Sequence, residues 1–444
     1  MRSRLLGRAL ALAAVAAACA VGRPAASEDW NGICEVKVVE CAIMTFEAVR
    51  EAGGSEAPGV LSAAQVELLW KAVGEKKARL VLSAEVAASV GRRSMWRAGK
   101  THKYLADYNI EGGAVASVTG ELALGWTVEV EPRHSFGGGL VVAARVEHAS
   151  LAGGKAAAST PHGPVETPVL SVRSVSASAK MPVSGVSVLG IMPAGGAGSV
   201  QVVLLRTDLP GLKLPRRGGE EIRRRLPSAQ LEPKGTFASV KVLEMPDELL
   251  DRVRSEVGGG AAGSEISPEQ LAMIAEAVGA GKATILEAGA LCAFTDHGGE
   301  VFAGERRYYL SGYCLVPVRR KSDPKEDAPL MLVDPEPDEV RSGFSLRLSA
   351  AGRIVVAPRG SVIVTTTKGR GYVALECTSQ IRPLEMRSVD GPHGKVQMPL
   401  VELMKVAAPL GHSPRGAYLV GGATGVGEKP ELKRVVLVEI ESEK

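Results

Sequence analysis

The feature that most constrains this chain is an internal repeat. The segment from Leu61 to Tyr108 aligns without a gap with the segment from Ile266 to Tyr313. Self-similarity of this kind is typical of a structural unit that has been duplicated. The sequence therefore predicts two diverged, tandem copies of one module. The identities that carry the alignment are Ser62 with Ser267, Gln65 with Gln270, Ala72-Val73-Gly74 with Ala277-Val278-Gly279, Gly99 with Gly304, Tyr104-Leu105 with Tyr309-Leu310, and Tyr108 with Tyr313.

The residue pattern of each copy predicts the same order of a strand and two helices. A short alternating strand (Val36 to Glu40, or Val240 to Glu244) precedes a first helix, and a second helix starts after Ser62 or Ser267. Serine is a favoured N-cap because its hydroxyl satisfies a free backbone N–H of the first turn. The first helix is expected over residues 43–51 or 247–256. The second helix is expected to cover a sheet with an apolar stripe, formed by Val66, Leu69, Trp70 and Val73 or by Leu271, Ile274 and Val278. Positive φ is expected at the ends of the second helices, at Gly74 and Gly279.

After the second helix, alternating residues predict strands joined by Gly-containing turns. Residues 125–131 and 140–148 alternate on either side of Ser135-Phe-Gly-Gly-Gly139, which predicts a hairpin. The predicted fold class is α+β, mainly antiparallel β, in two modules that each pack a helix on a sheet and add β-hairpins. Further predicted strands are residues 79–90 and 103–110, residues 284–294 and 307–316, residues 343–348 and 371–376 with an extra hairpin between them, and two closing strand pairs at 170–181 with 186–192 and 400–408 with 417–422.

The N-terminus predicts export. Basic residues precede an apolar stretch, Ala9 to Ala20, that is too short to span a bilayer, so residues 1–27 are interpreted as a signal peptide. Cys19 follows three alanines, which leaves lipid attachment at Cys19 open as an alternative to its removal with the peptide. The predicted domains are residues 28–206 for the first module, residues 207–235 for a Pro- and Arg-rich linker, and residues 236–444 for the second module.

Charge and cysteine content narrow the classes of partner. The formal net charge is +4 over 444 residues without a long basic run, which argues against a nucleic-acid partner. The cysteines of the predicted modules do not have the spacing of a disulfide scaffold and are interpreted as buried thiols on strands. Cys292 with Cys314 is the one disulfide pair that the spacing leaves open. These cysteines are Cys34, Cys41, Cys292, Cys314 and Cys377.

The first copy resembles the secretin domain of bacterial type II and type III secretion proteins. The resemblance covers residues 36–192 and rests on the helix start at Ser62, the strand that follows that helix, the block GWTVEVEPRHSFGGGLVVAARVEHASL and the closing stretch ETPVLSVRSVSASAKMPVSGVSVLGIMP. It implies a helix over a sheet, long antiparallel strands and a role in envelope assembly. Val188-Leu-Gly-Ile-Met-Pro193 matches the end of the family pattern only in part, and the duplication departs from the usual layout.

No segment predicts a catalytic, cofactor or metal site. Gly422 to Lys429 approaches a phosphate loop but has Glu428 ahead of the lysine and no following Ser or Thr. Asp296-His297 is interpreted as a hairpin turn. The cluster Asp334 to Glu339 leaves calcium binding open, but its two prolines favour a rigid exposed loop. The seven histidines show no zinc-like spacing: His102, His134, His148, His162, His297, His393 and His412.

The expected function is that of a non-enzymatic, exported envelope protein with a structural or assembly role in a secretion or pilus-type system. The expected location is the periplasm or outer membrane. The expected partners are further copies of the chain or other secretion or envelope components, with contact to the outer membrane and without a small-molecule substrate. The alternative is a soluble periplasmic binding module that keeps the secretin fold without forming a pore, which an aromatic content of 4% favours.

Overall fold

A computed structural model of the chain describes residues 31–52, 58–111, 114–134, 140–153, 156–181, 186–208, 235–255, 265–294, 298–318, 330–351, 353–356, 362–365, 372–380, 382, 384–411, 415–424 and 432–442. The predicted signal peptide, Cys19, most of the predicted linker and the dipeptide Asp296-His297 lie outside the described residues. Residues 31–208 are called the first half below, and residues 235–442 the second half.

The helices and strands follow one another in the same order in both halves, except that the second half has two additional strands, β17 (Arg353–Val356) and β18 (Val362–Thr365). The helices are α1 (Ile43–Glu51), α2 (Ala63–Gly74), α3 (Asp247–Ser255) and α4 (Pro268–Gly279). The strands of the first half are β1 (Asn31–Ala42), β2 (Val60–Leu61), β3 (Ala78–Ser89), β4 (Ser94–Glu111), β5 (Ala114–His134), β6 (Leu140–Leu151), β7 (Ala157–Thr160), β8 (Gly163–Glu166), β9 (Val169–Met181), β10 (Val186–Pro193) and β11 (Ser199–Asp208).

The strands of the second half are β12 (Gly235–Pro246), β13 (Glu265–Ile266), β14 (Thr284–Phe294), β15 (Gly299–Val318), β16 (Leu330–Ala351), β17 (Arg353–Val356), β18 (Val362–Thr365), β19 (Tyr372–Gln380), β20 (Glu385–Gly391), β21 (Gly394–Leu400), β22 (Leu403–Gly411), β23 (Arg415–Thr424) and β24 (Leu432–Ser442). Strands dominate and pair antiparallel. The expectation of a mainly antiparallel α+β fold is confirmed.

Two large sheets contain strands of both halves. Sheet A has ten strands in the order β13-β23-β24-β12-β14-β10-β11-β1-β3, with β2 paired to β10. Sheet B has eight strands in the order β22-β19-β16-β15-β9-β6-β5-β4. The hairpins β7–β8, β17–β18 and β20–β21 form separate two-stranded sheets. The hairpin predicted between residues 343–348 and 371–376 is therefore present as β17–β18.

Sheet A is the middle layer of three. On β1, Cys34, Val36 and Val38 contact sheet B residues such as Val142 and Val146 in one buried cluster. Val39 and Cys41 belong instead to a second cluster between sheet A and the helices. Because sheet A is covered on both faces, its strands carry nearly continuous apolar runs. The helix residues buried in the second cluster are Ile43, Phe46, Val49, Leu69, Ala72, Leu250, Val253, Ile274 and Ala277.

The starts of α2 and α4 are built alike. The hydroxyl of Ser62 accepts a hydrogen bond from the Gln65 backbone N–H, and the Gln65 side chain accepts one from the Ser62 N–H. Ser267 and Gln270 form the same capping box. The prediction of serine N-caps is confirmed.

Two details of these helices differ from expectation. Gln65 and Gln270 lie at the centre of the buried face, each 1% exposed, while Val66 and Leu271 are only partly buried. Gln65 is tolerated there because its amide donates to the Arg50 carbonyl oxygen (2.6 Å).

The expectation of positive φ at Gly74 and Gly279 is wrong, because the left-handed residues come two positions later, at Lys76 and Gly281.

The two halves connect their strands in the same order. In sheet A the first half contributes β3-β1-β11-β10 and the second half contributes β14-β12-β24-β23. In sheet B the first half contributes β4-β5-β6-β9 and the second half contributes β15-β16-β19-β22. Register irregularities also recur, between Val38 and Val39 and between Val242 and Leu243.

The strands expected to close each copy are present, but the expectation that they pair with each other is wrong. β9 belongs to sheet B and β10 to sheet A, and β22 and β23 are divided between the sheets in the same way. The burial of β10 explains the division, because seven of its eight residues are buried and a strand covered on both faces belongs in the middle layer. β10 and β23 pair with β11 and β24 instead.

The acidic segment Asp334 to Glu339 forms part of β16 and is not a loop. Its prolines lie opposite Tyr313 and Leu310 of β15. β19 pairs with β16 only from Ser345 onward, so in the described residues β16 has a partner strand on one side only at Pro335 and Pro337. Proline has no backbone N–H to donate, which a strand tolerates on a side without a partner.

The expectation of buried thiols on strands is confirmed for most cysteines. Cys34, Cys41, Cys292 and Cys377 are buried, and Cys314 is partly exposed. The suggested pairing of Cys292 with Cys314 is wrong, because Cys292 lies on β14 of sheet A and Cys314 on β15 of sheet B.

Candidate interaction interface

The joint between the halves in sheet B is an eight-residue ladder. β9 of the first half pairs antiparallel with β15 of the second, from Val169 opposite Arg307 to Ser176 opposite Glu300. Apolar residues from both halves cover this ladder. The cluster consists of Leu122, Leu124, Ala149, Leu170, Val172 and Phe302, with Tyr104 and Tyr308 packed against it. The ladder and its cover make this joint part of the fold.

The joint in sheet A is shorter and closer. Gly190 of β10 lies opposite Leu291 of β14, and Ile191 lies opposite Ala290. A Cβ atom on Gly190 would lie 2.7 Å from Val175 Cγ1 and 2.9 Å from the Ala290 carbonyl oxygen. Only glycine allows β14 and the strands of sheet B to approach this point together.

Two small hairpins make matching contacts at the ends of the long sheet B strands. The N–H of Leu105 on β4 donates to Glu166 Oε2 of β8, and the N–H of Leu310 on β15 donates to Gln397 Oε1 of β21, each at 3.2 Å. Next to them, Tyr108 Oη donates to the Pro164 carbonyl oxygen and Tyr313 Oη to the Lys395 carbonyl oxygen. The repeated tyrosines thus tie each hairpin to its strand.

The outer edges of both sheets are strands of opposite halves. Sheet B ends in β4 and β22, and sheet A ends in β3 and in β23, which β13 covers at Tyr418 and Ala417. In the part of the chain that the structure describes, β4 and β22 have no second partner strand. Two apolar side chains are exposed at these edges, Met95 on β4 (60% exposed) and Leu403 on β22 (40% exposed). Unpaired strand edges are ready to pair with another chain.

A cavity of about 310 Å³ lies where β4 and β8 meet the β15–β16 hairpin. The rings of Tyr104 and Tyr308 have centroids 6.0 Å apart and are tilted by 45° relative to each other. Burial raises the pKa of both phenols, and the neighbouring Glu339 raises it further. Tyr309, Glu166, Asp338 and Glu339 complete the polar part of the wall. Sequence reasoning missed this cavity, although the repeated tyrosines mark its position.

One buried lysine joins α1 to the middle sheet. Lys241 on β12 forms ion pairs with Glu47 and with Glu439, the latter at 2.9 Å. Burial lowers the pKa of Lys241, but the charges of Glu439 and Glu47 together outweigh burial and hold that pKa above its usual value. Burial raises the pKa of Glu47 despite Lys241. The Lys241 ammonium is therefore held in two ion pairs within the fold.

A second buried carboxylate connects the sheets. Glu287 on β14 accepts a hydrogen bond from Ser379 Oγ on β19 (2.5 Å). Burial raises the pKa of Glu287, and the hydrogen bond from Ser379 and the charge of Arg434 lower it by less. Glu287 therefore acts as a contact between the two layers.

The residues considered for chemistry do not come together. Among the residues that the structure describes, no group of three or more His, Cys, Asp or Glu side chains could hold a metal ion. The rings of His148 and Trp126 have centroids 4.6 Å apart at a tilt of 41°, and burial lowers the pKa of His148, assisted by Arg173. In the acidic segment, Asp338 accepts from Tyr309 Oη and Glu339 pairs with Arg306 and Arg341. The side chains of His134, His297 and His412 lie outside the described set.

No helix within the described ranges is long and apolar enough to cross a membrane. Comparison with protein-family models, with curated proteins and with solved structures finds no significant match to this chain.

Proposed function

We propose that the chain consists of two tandem copies of a secretin-like module and is a non-enzymatic, exported protein of the cell envelope. Its role is structural, in the assembly of a secretion or pilus-type system. The observation that carries the proposal is the way the halves join, since β10 of the first half pairs with β14 of the second in sheet A and β9 pairs with β15 in sheet B.

Matching contacts in the two halves support the duplication. The capping boxes at Ser62 and Ser267 have the same donors and acceptors. The backbone N–H of Leu105 and that of Leu310 each bind a side-chain oxygen of a neighbouring hairpin. Such agreement extends from local caps to contacts between distant strands, so it supports a shared module.

The joint supports an assembly role because it is heterologous. An edge of one kind meets an edge of another kind, and contacts of this type repeat from one unit to the next to give rings or filaments. Sheet A and sheet B both end in the same two kinds of edge that they use at the joint. Export and envelope location rest on the basic and apolar N-terminus, Met1 to Ala20.

The proposal is tested by fractionating the producing cells and measuring the mass of the purified mature protein by light scattering, with and without detergent. A discrete multimer recovered with the outer membrane is the expected result. A monomer that stays soluble at high concentration would contradict the assembly role.

The cavity beside Tyr104 favours the second candidate, a soluble periplasmic binding module. Two neighbouring tyrosine rings together with the carboxylates of the wall suit an organic cation, which is attracted by aromatic rings and by negative charges. Calorimetric titration with choline and with arginine tests this function. Binding that is lost in Tyr308→Ala and kept in Tyr313→Phe, outside the cavity, would support it, and absence of binding to either probe would count against it.

A further inference from the structure

The strands at the outer edges of both sheets correspond to the strands that join the halves. We infer that β3 and β4 of one chain pair with β23 and β22 of a second copy of this chain, in the register of the internal joint. The inference rests on the proposed function, and it adds the partner, the strands and the residue register.

The correspondence in sheet B is fixed by two glycine pairs. Gly99 lies opposite Gly125 across β4 and β5, and Gly304 lies opposite Gly343 across β15 and β16. These pairs equate β4 with β15 and β5 with β16, residue by residue.

Following the ladders outward then equates β9 with β22. Three residues after Gly125, Val128 pairs with Val146, which pairs with Val175. Three residues after Gly343, Leu346 pairs with Cys377, which pairs with Val406. Val406 therefore takes the place of Val175 at the outer edge.

This correspondence predicts the pairs between two chains in sheet B. Inside the chain, Val301 lies opposite Val175 and Glu300 lies opposite Ser176. Trp96 and Met95 precede Gly99 as Val301 and Glu300 precede Gly304. The geometry thus places Trp96 of one chain opposite Val406 of the next, and Met95 opposite Ala407.

These positions suit a contact between chains. Met95 and Ala407 are exposed in the single chain, and Met95 is among its most exposed apolar side chains. Trp96 is partly buried against the main cluster and Val406 is buried in it, so the pair would continue the core across the joint. A cross-strand apolar pair of this kind stabilises a ladder.

Sheet A gives the same order independently. Val36 of β1 pairs with Ala84, and the equivalent Val240 of β12 pairs with Gly289, so Ala84 takes the place of Gly289. Two residues further along, Val86 of β3 takes the place of Leu291. Leu204 and Leu437 are equivalent, because Leu204 pairs with Lys37 and Leu437 pairs with the equivalent Lys241. Val188 pairs with Leu204 and Leu419 pairs with Leu437, so Leu419 takes the place of Val188.

The register irregularity lies between Val188 and Gly190 in β10 but between Val420 and Gly422 in β23, so Val420, opposite Val436, takes the place of Gly190, opposite Val203. In both sheets the first half of the added chain meets the second half of the existing chain. The two sheets can therefore be extended by one and the same added copy, and each chain counts as two successive units of the assembly.

The test is cysteine cross-linking in the full mature chain. Met95→Cys with Ala407→Cys is expected to convert monomer into a ladder of disulfide-linked dimers and higher species after mild oxidation. Directly opposite residues in an antiparallel ladder have Cα atoms about 4.5–5.5 Å apart, which a disulfide can span. Arg97→Cys with Lys405→Cys, equivalent to Phe302 opposite Ser174, is a second in-register pair should the first fold poorly.

The matched control is Met95→Cys with Leu403→Cys, which places both thiols on exposed edge positions four residues out of register. The two single variants control for the native cysteines. A ladder in the in-register pairs, and its loss in these controls, supports the inference. A disulfide formed within one chain, at monomer mass, overturns it because the sheet would then close on itself.

Light scattering on the same preparations separates the two levels of the proposal. Multimers without in-register cross-links, or with equal cross-linking in the control, overturn the inferred contact and leave the assembly function standing. A strict monomer in every preparation overturns both.

Discussion

Gly99 and Gly125 lie directly opposite each other across β4 and β5, and a Cβ atom on Gly99 would come within 1.8 Å of the Leu124 carbonyl oxygen. The second half repeats this relationship, since a Cβ atom on Gly304 would come within 2.0 Å of the Ser342 carbonyl oxygen. Backbone atoms cannot move aside as flexible side chains do. Each glycine pair therefore sets how closely the two long strands pass.

Gly304→Ala is expected to lower the free energy of unfolding by about 1–3 kcal/mol, the usual range for forced overpacking. The measurement is chemical denaturation followed by circular dichroism. Gly74→Ala is the matched control, because it adds the same methyl group at the end of α2 where no atom lies within 4 Å. Equal losses in both variants would contradict the role of the close approach.

Ser62→Ala and Ser267→Ala are each expected to cost about 1 kcal/mol of stability, because each leaves a backbone N–H of the first turn without its cap. The two losses are expected to add in the double variant, since the caps lie on separate helices. Denaturation of the three variants checks this. Ser255→Ala, whose hydroxyl donates to a carbonyl within the exposed last turn of α3, is the control with a smaller expected effect.

The caps and the hairpin β5–β6 could be predicted because they depend on residues close together in the sequence. The position of Asp334 to Glu339 could not, because its strand partners, such as Tyr313 for Pro335, are distant in the chain. The pairing of Gly190 with Leu291 could not be predicted either, because the two residues are distant in the chain. The repeat alignment nevertheless matched Tyr108 with Tyr313, which hold equivalent hairpins, and Tyr104 with Tyr309, which both line the cavity, but it gave no reason to bring the last two together.

Stability should depend on pH through Glu287. Burial raises the pKa of Glu287 in the folded state above its unfolded value. A carboxyl group with a raised folded pKa contributes stability at low pH that is lost as pH rises through the folded pKa. Glu287→Gln is therefore expected to gain stability relative to the wild type on going from acidic to neutral pH.

The measurement is urea denaturation of both proteins at several pH values across the carboxyl range. Glu305→Gln, at a half-exposed position on β15, provides the control for a carboxyl-to-amide change away from the contact between the sheets. A gain for Glu287→Gln at acidic pH alone would have the wrong sign for a raised pKa.

Among the cysteines that the structure describes, Cys314 is expected to react first with a thiol reagent in the native state. Burial raises the pKa of Cys34 to about 12 and, with a contribution from Glu40, that of Cys41 to about 11. Cys314 is partly exposed, but desolvation and the charges of Asp334 and Glu336 raise its pKa also. Reaction at neutral pH should therefore be slow, and faster in Asp334→Asn. Mass spectrometry of peptides after timed labelling identifies the modified residue, and earlier labelling of Cys34 or Cys41 would contradict the expectation.

The inferred contact between chains contains a pair of like charges that the internal joint does not have. Arg97 and Lys405 would face each other where Phe302 faces Ser174 inside the chain. Like charges directly opposite weaken a ladder. Lys405→Ser, which introduces the residue of the internal joint, is expected to shift the oligomer distribution toward larger species at low salt.

Sedimentation velocity at two salt concentrations checks this expectation. The gain should shrink at high salt, where the repulsion is already screened. Lys395→Ser, on the separate β20–β21 hairpin, is the charge-matched control and should leave the distribution unchanged. Equal shifts in the two variants would point to net charge and not to the Arg97 contact.

The hairpin β17–β18 extends the connection between β16 and β19, whereas the corresponding strands β5 and β6 are joined by residues 135–139 alone. In an assembly built from this chain by the inferred contact, that hairpin would occur in every second unit. The covalent fusion of the halves fixes this alternation, because no exchange of subunits can place two hairpin-bearing units side by side. A partner that recognises the hairpin would meet half as many docking points as there are modules.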